Sequence, residues 1–208
     1  MALRLAVLLS GGGTTLENIF EHIESGALDA SVVCVISSRQ GVYGLDRAKN
    51  HGVPGITISR KEFADTASFS AAVWREVRAH SADVVVLAGF MSLIDIDPAY
   101  GGKIMNVHPA LVPSFCGRGM YGHRVHEAVI AYGAKVSGAT VHFVDAEYDH
   151  GPIILQKAVP VLEDDTPDSL AGRVQAAERE IYPQAIQLYA EGRLRIEGRR
   201  VRILPALS

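Results

Sequence analysis

Leu5-Ala6-Val7-Leu8-Leu9-Ser10-Gly11-Gly12-Gly13-Thr14-Thr15-Leu16 decides the architecture of this chain. Five consecutive apolar residues without alternation describe a strand covered on both faces, and the glycines end it before a helical stretch that begins near Leu16. The same rhythm continues outward. Ser31 to Ser37 reads as a second strand, Tyr43 to His51 as a short helix, Gly55 to Ile58 as a third strand and residues 68 to 80 as helix. Asp83-Val84-Val85-Val86-Leu87-Ala88-Gly89 then gives a buried strand, β-branched, apolar and stopped by glycine. Parallel strands need crossover connections, so this alternation predicts an α/β chain with a three-layer, Rossmann-like arrangement. Its central sheet is mostly parallel, with helices on both faces.

The second half is mixed. Lys103-Ile104-Met105 reads as the end of a buried strand that runs into Asn106-Val107-His108-Pro109-Ala110-Leu111-Val112-Pro113, where two prolines forbid helix. His123 to Tyr132 reads as helix, and Lys135 to Val144 and Ile153 to Val159 as strands around the polar loop Asp145 to Gly151. Residues 166 to 190 read as one long helix or two, opened by Thr166 as N-cap with Pro167 just inside. Leu194 to Ile203 alternates around Glu197-Gly198, a terminal hairpin. The expectation is one domain over 1–208, with an anion-binding half at 1–100, a catalytic half at 101–190 and the hairpin at 191–208.

The 208 residues are 48% hydrophobic, enough for one full core, and carry a net charge of -3. That charge gives no global field for a polyanion, so the expected partner is a small molecule and not nucleic acid. Cys34 and Cys116 lack any paired spacing, which argues against a disulfide scaffold or a cysteine zinc site and fits a reducing cytoplasm. The opening apolar run is too short for a signal peptide, and no segment approaches membrane-spanning length. The expectation is a soluble cytoplasmic protein with no membrane partner.

Three places could carry chemistry. Asn106 and His108 share one face of a strand end, because side chains alternate, and such a pair could hold a carbonyl oxygen; a structural histidine is the plainer alternative. Gly11-Gly12-Gly13-Thr14-Thr15 lets backbone N–H groups approach an anion beside the positive end of a helix, although a simple tight turn uses the same residues. It is neither a Walker loop nor a full dinucleotide fingerprint. His142 precedes the loop 145–151 and Asp149 lies within it. A carboxylate beside His108 would raise its pKa and make it a charged donor, so Asp149 is paired with His108; an ordinary turn residue before Gly151 is the alternative. His123 and His126 could share a helical face, yet no HExxH occurs and no metal site is expected. The arginines at 193, 195, 199, 200 and 202 read as the exposed side of the hairpin.

Together, the Ser10-to-Thr15 loop, Ala88-Gly89-Phe90-Met91, Asn106-to-Pro113, Gly138-to-Phe143 and Asp149-His150-Gly151-Pro152-Ile153-Ile154-Leu155-Gln156 resemble the folate-dependent formyltransferases. Arg173-Val174-Gln175-Ala176-Ala177-Glu178 selects the branch acting on glycinamide ribonucleotide. The resemblance implies a formyltransferase fold and transfer of a formyl group from 10-formyltetrahydrofolate, as co-substrate, to that amine in purine biosynthesis, without a metal. It implies Asn106, His108 and Asp149 as the catalytic group. Gly11, Gly12, Gly13, Thr14 and Thr15, with Gln175 and Glu178, would bind the ribonucleotide. Phe90, Met91, Ser92, Leu93, Ile94, Thr140 and Val144, with Asn106 and Asp149, would bind the folate. Ser92 stands where an arginine is common in the family, which puts one contact to the folate tail in doubt, and Arg118 in the glycine-rich 117–122 segment is a stand-in for it. The resemblance leaves room for a homodimer.

Overall fold

A computed structural model describes residues 1–206; the last two residues of the expected 191–208 segment, Leu207 and Ser208, lie outside the described residues. The chain forms two compact units, Met1–Met105 and Asn106–Ser208. In the first, β1 (Leu3–Leu9), β2 (Ala30–Ser37), β3 (Gly55–Thr57) and β4 (Val84–Leu87) alternate with α1 (Thr14–Glu24), α2 (Tyr43–Asn50) and α3 (Thr66–Ala79). The strands lie in the order β3-β2-β1-β4, and every pair is parallel. Leu5, Ala6, Val7, Leu8 and Leu9 are all 0% exposed although successive side chains point to opposite faces, so both faces of β1 are covered. Strand β1 runs from Leu3, because Arg4 interrupts the apolar run but not the ladder. Helix α3 begins at Thr66 because the Asp65 carboxylate caps the Ser68 N–H at 2.7 Å, a signal that the apolar spacing does not contain.

β5 (Ile104–His108) carries the chain from the first unit into the second. The second unit then contains α4 (His123–Tyr132), β6 (Val136–Phe143), β7 (Ile153–Pro160), α5 (Pro167–Ala190), β8 (Leu194–Glu197) and β9 (Arg200–Ile203). β6 and β7 are antiparallel, β9 runs parallel to β7 with Arg200 opposite Ile153, and β8–β9 is the hairpin. Helix α5 is a single helix with Pro183 inside it. Its start is a capping box in which the Thr166 hydroxyl accepts from the Ser169 N–H and the Ser169 hydroxyl accepts from the Thr166 N–H. Leu170, Val174, Ala177, Ile181 and Ala185 form its buried stripe at helical spacing, and the helix packs on β6, β7 and α4.

One buried hydroxyl ties the strand-end segment to β6. The Thr140 Oγ1, fully buried, donates to the Ala110 carbonyl at 2.7 Å and accepts from the Val112 N–H at 3.0 Å and from the Gln156 Nε2 at 2.9 Å. With one proton given and two received, its bonding capacity is full. Two positions upstream, Gly138 lies so close to β7 that a Cβ would stand 2.2 Å from the Lys157 carbonyl oxygen and 2.8 Å from the Leu111 side chain. Gly138→Ala is therefore expected to destabilise the fold by about 2 kcal/mol or more, because a backbone oxygen must move to admit the methyl. A urea denaturation midpoint equal to that of the parent chain would contradict this packing.

Candidate active site

Asn106 and His108 stand two residues apart on β5, as strand alternation requires, and both reach the Asp149 carboxylate. His108 is buried, and its Nε2 lies 2.9 Å from the Phe115 carbonyl, which can only accept, so Nε2 carries a hydrogen. Its Nδ1 faces Asp149 Oδ2 at 3.4 Å. That same oxygen accepts the Gly117 N–H at 3.0 Å, while Oδ1 receives the Asn106 Nδ2 at 3.4 Å. Asn106 Nδ2 also donates to His142 Nε2 at 3.2 Å, and His142 Nδ1 donates to the Phe143 carbonyl at 2.7 Å. These partners fix the amide's orientation: its nitrogen points at His142 and Asp149.

The charges are set by opposing effects. Burial raises the Asp149 carboxyl, but His142, His108 and the Gly117 N–H outweigh it and hold the group below the usual aspartate value. His108 departs from expectation. Burial lowers its pKa and outweighs both the Asp149 charge and the Phe115 carbonyl, so in the free protein the imidazole is held below its ordinary value rather than above it. The sequence supplies the neighbouring carboxylate, whereas the desolvation depends on how deeply the ring is packed.

In the first unit, the glycine loop has the construction of an anion cradle. The Gly11 carbonyl accepts the Gly44 N–H at 3.1 Å and the Gly12 carbonyl accepts Arg47 Nε at 3.0 Å. In a trans peptide the next N–H points opposite to the carbonyl, so pinning these two oxygens directs the Gly12 and Gly13 N–H groups away from α2. Neither has an acceptor among the described residues. Gly13 adopts φ 72°, and a Cβ there would meet Gly44 Cα at 2.7 Å. Helix α1 has no side-chain cap, and the Thr14 hydroxyl is exposed beside its open N-terminus. Arg47 is itself held by Glu17 at 2.6 Å. The apolar stretch after β4 also has free surface: Met91 and Leu93 are exposed and Phe90 stacks on Phe69. Ser92, Ile94 and Val144 are half-buried. Thr140, expected to meet the folate, has its side chain buried and its hydroxyl committed as described above.

On α5, Gln175 is exposed and Glu178 half-buried, three residues apart on one face. Glu178 has no hydrogen-bond or ion-pair partner among the described residues, and burial alone pushes its carboxyl up to about 7. The histidine pair on α4 divides: His123 is exposed between Glu127 and Asp168, whereas His126 is buried and its Nδ1 has no partner among the described residues. Sequence reasoning missed Phe115, Gly117, Gly44 and Arg47. The first three act through backbone atoms, which leave no residue-type signature, and Arg47 reads as an ordinary helix-surface cation.

The family described as Formyl transferase matches residues 3–186. The chain belongs to that family. Among solved structures, this formyl transferase is similar to glycinamide ribonucleotide transformylase 1 from Symbiobacterium toebii, with 44% identity and a TM-score of 0.92 over 98% of this chain and 95% of that one. It is 36% identical to the phosphoribosylglycinamide formyltransferase of Haemophilus influenzae, covering 93% of this chain and 90% of that protein. It is 40% identical to the trifunctional purine biosynthetic protein adenosine-3 of Bos taurus over 93% of this chain, but spans only 19% of that protein's length.

The unpaired carboxyl gives a pH test. Glu178 binds its proton more tightly when folded, at about 7 against an ordinary 4.5, so the stability it contributes is full below about pH 4.5 and is lost as pH rises toward 7. Glu178→Gln should melt about 2–4 °C higher than the parent at pH 8, after allowance for solvent screening, with the gap closing toward pH 5. A thermal scan showing the variant less stable at pH 8 would mean that the carboxylate has a partner when charged.

Proposed function

We propose that the chain transfers the formyl group of 10-formyltetrahydrofolate to the primary amine of glycinamide ribonucleotide, the purine-biosynthetic reaction named for its relatives. The observation that carries the reading is the convergence of Asn106 and His108 on one half-buried, charged Asp149. The contacts of 3.4 Å from Nδ1 and Nδ2 are longer than good hydrogen bonds, as is common where a reacting group is yet to insert.

The amine nitrogen attacks the formyl carbon, and the C=O electron pair becomes an oxyanion. Asn106 Nδ2 and His108 Nδ1 stabilise that oxygen, the latter after taking up a proton from solvent that it gives back when the adduct collapses, since it is the ring nitrogen not tied to a backbone carbonyl. A negative charge developing beside a buried imidazole raises its pKa, so a ring that is neutral at rest becomes a donor as the reaction proceeds. Asp149 draws a proton from the attacking amine, directly or through water. Collapse of the adduct breaks the bond from carbon to the folate nitrogen, which takes up a proton. The ribonucleotide phosphate is assigned to Gly11–Thr15 of the first unit; in the second, Gln175 and Glu178 are the residues assigned to the same substrate. The folate is assigned to Phe90–Ile94 and the loop carrying Val144 and Asp149, and the exposed Met91 and Leu93 suit a flat ring system.

Folate turnover should require glycinamide ribonucleotide; unchanged turnover without that amine would indicate a hydrolase instead. Asp149→Asn is expected to lower kcat by roughly a hundredfold or more while ligand affinities stay near normal, the scale of losing one preorganised electrostatic group. A near-normal kcat would remove Asp149 from the chemistry. Thr14→Asp should raise the ribonucleotide KM by about tenfold or more through repulsion of the phosphate, leaving the folate KM within about twofold. A rise confined to the folate KM would reverse the placement of the two substrates.

A further inference from the structure

Asp149 sits at φ 52°, in the left-handed region that a residue with a Cβ enters at a cost of about 1–2 kcal/mol, so its neighbours must hold it there. The base of its loop is closed by the Phe143 N–H to the Pro152 carbonyl at 2.9 Å, next to Gly151, where a Cβ would stand 1.8 Å from the Phe143 oxygen. Within the loop, Asp145 Oδ1 accepts the Glu147 N–H at 3.0 Å, and Oδ2 faces His150 Nδ1 at 2.8 Å, which therefore carries the hydrogen. The other ring nitrogen is then an acceptor. Arg199 Nη1 lies against the ring, 2.9 Å from His150 Nε2 and 3.2 Å from Nδ1, and Arg199 Nη2 donates to the His150 carbonyl at 2.7 Å. One guanidinium fork thus fixes both the ring and the backbone oxygen of the residue after Asp149.

We propose that Arg199, at the turn of the C-terminal hairpin, is a positioning residue that holds Asp149 in place through His150 and Asp145. The inference rests on the catalytic reading of Asp149. Strand β9 pairs with β7 at Arg200 opposite Ile153, which delivers the neighbouring Arg199 to the loop. The carboxylate is held at its far end by the Gly117 N–H at 3.0 Å, so Asp149 is constrained at its side chain and, one residue further on, through the His150 backbone. Exposed ion pairs contribute little when they join two free side chains. This fork differs because one of its targets is a backbone carbonyl, so it orients the peptide that follows His150 and through it limits the conformations open to the residue before. The hairpin arginines are therefore not equivalent, as alternation alone implies: Arg202 pairs with Glu197 within the hairpin, whereas Arg199 leaves it.

The test is steady-state kinetics on Arg199→Ala, Arg199→Lys, Asp149→Asn and the Asp149→Asn/Arg199→Ala double variant, with melting temperatures and pH–rate profiles. Arg199→Ala should lower kcat about five- to tenfold, corresponding to one charge-assisted contact, with both KM values within about twofold. The acid limb of its kcat profile should move to higher pH as Asp149 loses its bond to Gly117. Lysine should restore only part of the rate, since one ammonium cannot reach carbonyl and ring together. In the Asp149→Asn background the same change should have almost no effect. Normal kcat in both Arg199 variants, or a loss fully additive with Asp149→Asn, would overturn the positioning role while leaving the catalytic reading intact. If Asp149→Asn itself keeps normal kcat, the catalytic reading fails instead.

Discussion

A carboxylate kept charged inside the protein is the constraint around which the second unit is organised. Burial alone would favour the neutral acid, so Asp149 stays ionised only where other groups compensate, and they must be close and correctly aimed. His142 and His108 lie beside it, Gly117 supplies an N–H, and the Asn106 amide adds a longer contact. Meeting these demands has backbone consequences. Asp149 and Phe115 both adopt positive φ, Phe115 so that its carbonyl can engage His108 and Asp149 so that its side chain returns toward β5. The Thr140 hydroxyl and Gly138 hold the segment after His108 against β6 and β7, which stiffens one wall of the site.

The electrostatic balance of His108 follows from the same burial. A fully charged imidazole at rest would satisfy Asp149 and leave little to gain in a reaction; a ring held below its ordinary value responds when negative charge appears beside it. On the proposed mechanism this makes His108 a conditional donor, and its long contact to Asp149 marks where the reacting oxygen enters. The glycine loop shows a different strategy for a similar task. There the carbonyls are turned aside by Gly44 and Arg47, and on the proposed reading an anion would be met by backbone N–H groups.

Much of the fold is legible because local signals and packing agree. Helix α4 matches its expected span at both ends, with glycines at 122 and 133 bracketing it, and α5 opens at the Thr166-Pro167 pair that its sequence advertises. The departure at α3 has an identifiable cause: the Asp65 cap extends the helix past its apolar stripe. For the site, residue types at 106, 108 and 149 are readable, since strand alternation puts the first two on one face. Their partners are not, because the Phe115 carbonyl and Gly117 N–H belong to the backbone. Nor is the direction of the His108 shift, which depends on whether desolvation or the carboxylate prevails. The role of Arg199 is likewise invisible in a run of five hairpin arginines; only the register of β9 against β7 separates it from the rest.

The claim that burial outweighs Asp149 at His108 can be read directly from the imidazole nitrogen and carbon shifts of that residue in an NMR pH titration of the free protein. The account predicts a neutral ring with its hydrogen on Nε2 at pH 7 and a pKa below 6.5, falling further in Asp149→Asn because a favourable charge is removed. A His108 that titrates above 6.5, or one whose pKa is unchanged by that substitution, would contradict it.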